Sequence, residues 1–467
     1  MIVNSSNLKW LEEQPDESVH HIITDPPYLI DFMGAATGWD KPDNIAGRKE
    51  FWEECLRVLK PGGHLLVFGH SRTHHRVMTA IEDAGAEIRD CLFWFYGSGF
   101  PKSQDIGKRV AKKRGEKLKV LGKNPNHREP DALYKLGFQG GKGDGLLTQA
   151  QNEWSGWGNA LKPAYEPIIM ARKKFRGSLT DNVLEHGTGG LNIDATRVGS
   201  EVMPAIETKT ETTEIGWEKK SYITPEKKGR HPANIMLSHS EGCKLVGETE
   251  ETIIGGNKGK SGFAEGYESG DFTKKQSKVE LWDCEDDCPI KLLDTQAPAV
   301  GNVAKAKRKK DTTGGSGNSW TNGGKKAGED NGIYDGLAGA SRFFYCPKVS
   351  KKERNLGCED LEDKTFVLNE SIRDQSRLEG GVEGDLGWNR AKIRKNHHPT
   401  IKPVALMKWL VKLVSVEGQT ILDPFAGSGS TGIACALLDR EFIGTELDPN
   451  YCEIAKKRIE WWKNNEK

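Results

Sequence analysis

Apolar positions fall into blocks of two different periods, and the blocks predict a strand, helix, strand rhythm at both ends of the chain. His20-His21-Ile22-Ile23-Thr24 reads as a short strand. It runs into Asp25-Pro26-Pro27-Tyr28, where two prolines hold φ at about −65° and end it. In Glu50 to Lys60 (EFWEECLRVLK), Phe51, Cys55 and Leu59 have helical spacing, and Pro61-Gly62-Gly63 stops the helix. A strand over His64–Gly69, a helix over 73–84 and a strand over Glu87–Tyr96 follow. This alternation predicts a largely parallel α/β sheet.

Beyond Gly97 the sequence turns basic and glycine-rich, apart from Glu166–Ala171 (EPIIMA), a strand expected to rejoin the first sheet. Residues 176–340 show weak periodicity and frequent glycine, Thr312–Gly339 reads as a mobile loop, and no internal repeat is evident. Regular patterning resumes at Pro403, with a helix to about 415, a strand at 419–423, a helix at 430–438, a strand at 441–446 and a helix from Asn450. Only one helix follows Glu446, so the glycine loop before it is expected to borrow partner strands from the N-terminal block. The predicted division is 1–175, 176–340 and 341–467, with the outer segments completing one fold.

Charged residues make up 29% of the 467 and hydrophobic residues 36%, and no run approaches the roughly 18 apolar residues that span a bilayer. The start, MIVNSSNLKW, lacks the pattern of a signal peptide, so a soluble, cytoplasmic protein is expected. Nine cysteines in such a chain point to reduced thiols or a metal site rather than a disulfide framework. Cys55, Cys91, Cys435 and Cys452 sit in apolar segments and read as core. A net charge of +1 gives no global sign of nucleic-acid binding. The charge is uneven, however: Lys102–Lys123, Lys305–Lys310 and Lys392–Lys395 are basic runs, either solvated faces or phosphate contacts.

In Asp423–Gly432 (DPFAGSGSTG), Gly427, Gly429 and Gly432 fit G-x-G-x-x-G between a strand and a helix, a pattern that lets a ligand approach the backbone at a helix N-terminus. Glu446 ends the next strand, where an acid can bind ribose hydroxyls. Nicotinamide enzymes use the same device, so the loop alone does not identify the ligand. At the other end, Asp25 offers a carboxylate and Pro26 a carbonyl, both hydrogen-bond acceptors, Pro27 stiffens the loop, and Tyr28 offers a ring face.

DPPY first and DPFAGSGSTG last together resemble the permuted, β-class amino-methyltransferases of DNA. RVLKPGGHLLVF (Arg57–Phe68), HHPTIKP (397–403) and several middle segments, among them LKPAYEPIIMARK (161–173) and GRHPANIML (229–237), extend the resemblance to a phage and bacterial subgroup. The resemblance implies a circularly permuted, Rossmann-like sheet using S-adenosylmethionine, with residues 176–340 as a loop-rich target-recognition insertion. It places His398, Thr400 and Lys402 near the donor's carboxylate, Phe425 near its adenine and Glu446 on its ribose, with Asp423, Gly427, Gly429 and Ser430 in the cofactor loop. Methyl transfer would be direct and in line, to a base flipped out of double-stranded DNA. DPPY points to N6 of adenine, with N4 of cytosine the alternative. Asn4-Ser5 stands where the family often has Gly-Asp, which leaves open a DNA-binding relative without catalysis. An RNA substrate and a nicotinamide oxidoreductase are further alternatives, the latter leaving DPPY and HPTIKP without a role. A second copy of the chain and a cognate restriction nuclease are candidate partners.

One constellation stands apart from these motifs. His239-x3-Cys243 and Cys284-x3-Cys288 form two pairs of potential ligands about 40 residues apart, a spacing that suits a structural, tetrahedral zinc. Reduced cysteines unrelated to metal, or a site that also uses Cys346, are the alternatives.

Overall fold

The computed structural model describes residues 1–31, 40–96, 103–123, 146–203, 206–209, 221–224, 227–240, 242–253, 275–286, 288–296, 341, 344–345, 351–362, 364–366 and 392–465. The chain divides into two units: one comprises 1–93, 98–191 and 350–467, the other 94–97 and 192–349. Thr312–Gly339, Lys305–Lys310 and Cys346 lie outside the described residues.

In the first unit, seven strands of the main sheet are β1 (Ile2–Asn4), β2 (His21–Thr24), β3 (His64–Phe68), β4 (Glu87–Phe95), β5 (Tyr165–Arg172), β6 (Thr420–Asp423) and β7 (Glu441–Glu446). Their spatial order is β1-β7-β6-β2-β3-β5-β4. Every pairing from β1 to β3 is parallel, and β5 returns antiparallel to β3. The two C-terminal strands therefore lie between β1 and β2, as the sequence led one to expect of a loop that borrows its partners. All of β2 and β3 are buried, which is the burial pattern of parallel strands covered on both faces.

Helices α1 (Asn7–Glu12), α2 (Lys49–Val58), α3 (His74–Asp83), α4 (Ile106–Arg114), α5 (Leu179–His186), α7 (Val404–Val414), α8 (Ser430–Leu437) and α9 (Pro449–Asn465) belong to this unit, and α6 (Pro289–Gln296) to the other. Apolar side chains of α1, α2 and α3 pack with those of β2, β3, β5 and Leu422 of β6 in one core that joins both ends of the chain. Trp52 is completely buried there, its indole N–H donating to the Ala46 carbonyl at 2.9 Å. None of the helices among the described residues is long and apolar enough to cross a membrane.

Four features differ from the expectations. β1 is three residues long, too short to show a period. Within the basic stretch after Gly97, α4 is a capped helix: the Asp105 side chain accepts from Lys108 N, and Gly115 ends it at φ 70°. Lys112, Lys113 and Arg114 occupy its last turn, where the helix dipole favours cations. The first unit runs to Leu191 rather than 175, because the Asn182 amide in α5 donates to the Pro61 and Thr188 carbonyls at 3.1 and 2.8 Å. Finally, Cys55, Cys435 and Cys452 are core residues, but Cys91 is only half-buried, following the exposed Arg89 and Asp90 on β4.

The second unit has antiparallel ribbons where weak periodicity suggested loops. The longest joins Lys244–Ile253 to Lys275–Asp283, with its register shifting between Leu245 and Gly247. Val198–Met203 pairs with Lys227–Arg230, and Ile206–Lys209 with Ser221–Thr224. Its buried apolar cluster is small: Leu237, Cys288 and Ile290, with Phe95, Ile235, Cys243, Cys284, Leu293 and Phe344 partly buried around them.

Candidate active site

Parallel pairing of β2 with β6 sets Ile421 beside His21 and Leu422 beside Ile22, so both loops leave the same edge of the sheet. The Asp423 carboxylate binds them together: one oxygen accepts from the Thr24 hydroxyl at 2.6 Å and from Phe425 N at 3.1 Å, the other from the Thr431 hydroxyl at 2.6 Å. Burial pushes its pKa up to about 6, against the pull of those three donors. Both oxygens are thus committed to the scaffold. Asp423 positions the cofactor loop rather than lining it.

The loop itself is shaped by close approach. Gly427 has φ 51°, and a Cβ there would stand 2.7 Å from His398 Nε2. Gly429, at φ 79°, begins α8 and lies against the Ala455 backbone, while Ser430 opens the helix, buried. Glu446 holds the loop from the side, its carboxylate accepting from Gly427 N and Asp448 N at 2.9 Å each. Burial raises its pKa. The fully buried Arg458 donates to the Ser428 hydroxyl at 3.0 Å from beneath. Phe425 packs at a 58° tilt to Phe51, with ring centroids 5.3 Å apart, against the main core.

His398 Nδ1 lies 2.5 Å from the Thr400 carbonyl, which can only accept, so that nitrogen carries the ring proton. Burial lowers its pKa to about 4, so the imidazole is neutral at pH 7 with Nε2 free to accept, facing Gly427. Lys402 is buried, and its ammonium reaches the other motif: Asp25 Oδ2 is 2.6 Å away, Tyr28 Oη 2.9 Å and Glu166 Oε2 3.2 Å. The Tyr28 hydroxyl is also 2.8 Å from Asp25 Oδ1 and 3.0 Å from Glu166 Oε2, with one proton to give. Burial raises the pKa of Tyr28 well above the usual phenol value, and the two carboxylates add to this. For Lys402 burial acts the other way, but Asp25 and Glu166 outweigh it and its pKa rises. At neutral pH the cluster therefore holds a charged ammonium and a neutral phenol.

His398 thus faces Gly427 and is fixed by the Thr400 carbonyl, while Asp25, Tyr28 and Lys402 meet in one hydrogen-bonded cluster. Lys402 differs in its partner, since it meets the carboxylate of DPPY. Glu166 and Arg458 were not singled out in the sequence. The only signal for Glu166 was an acid at the start of an otherwise apolar strand. In the second unit, the ligand atoms of His239, Cys243, Cys284 and Cys288 all lie within 4.8 Å of one another.

Residues 19–457 match the family of N6/N4 methyltransferases described as DNA methylase. The chain belongs to this DNA methylase family. The chain is 46% identical over 97 residues to Type II methyltransferase M2.DpnII of Streptococcus pneumoniae, an alignment covering 20% of this chain and 35% of that one. It is 48% identical over 230 residues to Type II methyltransferase M.HindIII of Haemophilus influenzae, covering 41% and 64%. The chain thus spans about a third to two thirds of the length of these two relatives. Among solved structures, an M1.HpyAVI complex with S-adenosylmethionine aligns over 98% of both chains at 13% identity, with a TM-score of 0.32.

The Asp423 linkage gives a testable sign. Its pKa is raised from 3.8 to about 6 in the fold, so its protonated form is favoured there, and its contribution to stability is lost as pH rises through that window. The melting temperature of Asp423→Asn relative to the native chain should therefore rise between pH 4 and pH 6, read by calorimetry. A pH-independent difference would contradict the assignment. Asp423→Ala strands two threonine hydroxyls and should cost about 1–3 kcal/mol.

Proposed function

We propose that the methylase transfers a methyl group from S-adenosylmethionine to the N6 amine of adenine in double-stranded DNA. The observation that carries this reading is the junction of the two motifs: Asp25 at the end of β2 is held 2.6 Å from Lys402 of HPTIKP, next to the glycine loop. The residues present suit the donor. Gly427 and Gly429 keep the loop free of side chains, each Glu446 oxygen keeps a second lone pair for a ribose hydroxyl, and Asp25 and Glu166 complement a cationic sulfonium.

When bound, the donor supplies an electrophilic methyl on sulfur. The chain's own residues do the rest. Asp25 and the Pro26 carbonyl accept the two amine N–H bonds, which localises the nitrogen lone pair for attack along the carbon–sulfur axis. As the new carbon–nitrogen bond forms and the carbon–sulfur bond breaks, the amine becomes cationic and gives up one proton, for which Asp25 and Glu166 are acceptors in the cluster. Lys402 keeps these two carboxylates from repelling each other and fixes Asp25 in place. The hydrogen-bonded Tyr28 hydroxyl locks the ring on which the flipped base stacks, so the geometry is set before the base arrives. N4 of cytosine presents an amine of the same chemistry. Adenine is preferred on the DPPY motif.

Nucleoside mass spectrometry on DNA from methylation-deficient cells expressing the chain should show N6-methyladenine, absent with Asp25→Ala. N4-methylcytosine in its place would overturn the choice of base, and no methylated base from folded, donor-binding protein would overturn the reaction. Glu166→Gln preserves hydrogen bonding but not charge. It should slow single-turnover transfer by roughly 100-fold, and an unchanged rate would remove Glu166 from the chemistry.

A further inference from the structure

We propose that the second unit is held together by one structural zinc ion bound by His239, Cys243, Cys284 and Cys288. Three observations support this. First, His239 Nδ1 lies 3.4 Å from Cys284 Sγ and 3.6 Å from Cys288 Sγ. One ring nitrogen has a single hydrogen-bonding site, so two thiols at that range are not explained by hydrogen bonding alone. With Zn–S about 2.3 Å and Zn–N about 2.0 Å, sulfur and nitrogen at two corners of a tetrahedron stand roughly 3.5 Å apart. All four donor atoms fall within 4.8 Å of one another.

Second, the two ligand pairs share one turn. Cys243 N donates to the Ser240 carbonyl at 3.0 Å, and Cys288 N to the Glu285 carbonyl at 3.1 Å. In each pair the second ligand thus bonds to the residue just after the first, so two separate segments present their donors in the same way. Third, the donors stand where elements meet. His239 follows the strand Ile235–Leu237, Cys243 precedes Lys244–Ile253, Cys284 follows Lys275–Asp283 and Cys288 precedes α6. Trp282 stacks on the His239 ring at 4.0 Å and fixes its direction.

Among the described residues, the buried apolar side chains of this cluster are Leu237, Cys288 and Ile290, and an ion drawing four elements to one point would add to the order they provide. Three thiolates and an imidazole in a closed set leave no open position, so the ion is structural. The proposal does not depend on which base is methylated.

The full chain, expressed with zinc and dialysed under reducing conditions, should carry about one zinc per chain by elemental analysis. The demetallated chain titrated with cobalt should show thiolate-to-cobalt charge-transfer absorption. Cys284→Ser and Cys288→Ser should lower zinc content roughly fivefold or more, and Cys91→Ser, outside the cluster, should not. After chelation, limited proteolysis should cut within 192–349 before it cuts the first unit. Trace zinc together with no cobalt charge transfer in the unmutated, reduced chain would overturn the site. Stoichiometric zinc whose removal leaves the proteolysis pattern unchanged would overturn its structural role.

Discussion

The site depends on one constraint: β6, some 400 residues along the chain, must lie parallel to β2. Only then do the loops after Thr24 and Asp423 emerge side by side. The Asp423 carboxylate enforces this pairing, since it bridges the last residue of β2, its own loop and the first turn of α8. A shared core then makes the joint cooperative: Ile22, Leu65, Phe51 and Leu422 come from distant parts of the chain and are buried in one cluster. Connection order matters little to a sheet that only requires its strands to be adjacent, which is why a chemical motif at one end and a cofactor motif at the other can form one site.

A second constraint is electrostatic. Asp25 and Glu166 approach the same point, and without a cation their mutual repulsion would open the site. Lys402 is buried between them, 2.6 and 3.2 Å away. Such a pair contributes little net stability once desolvation is counted, but it fixes geometry, because losing one partner leaves an uncompensated charge. Arg458 beneath Ser428 serves the glycine loop in a similar way, as a buried cation whose two terminal nitrogens donate to backbone and hydroxyl oxygens. The chemistry requires this rigidity. In the proposed reaction, in-line transfer between two bound groups would gain mainly from orientation, and Asp25 is itself held by Lys402 and Tyr28.

The sequence made the catalytic half of this arrangement readable because its cues are local. DPPY follows a β-branched strand, the glycines follow another, and HPTIKP precedes a helix with clear apolar spacing. What it left hidden depends on distance or on short elements. Glu166 is a site residue only because β5 returns beside β3, a pairing across about 100 residues that no local pattern specifies. β1 is too short to carry a period, and α4 was obscured because its residues are chiefly basic, with Gly107 and Ala111 its buried positions. The boundary at Leu191 was missed because polar contacts of Asn182, rather than an apolar face, hold α5 to the first unit. The two His/Cys pairs of the second unit, by contrast, could be picked out from their spacing, and the structure brings their side-chain atoms within 4.8 Å of one another.

The most direct test of a site built jointly from both chain ends is amide hydrogen exchange with and without S-adenosylmethionine. Binding is expected to protect residues 420–432 and residues 21–31 together, because Asp25, which would face the donor in the proposed site, stands on the loop after β2. Protection confined to the C-terminal glycine loop, with exchange around Asp25 and Tyr28 unchanged, would contradict a shared site.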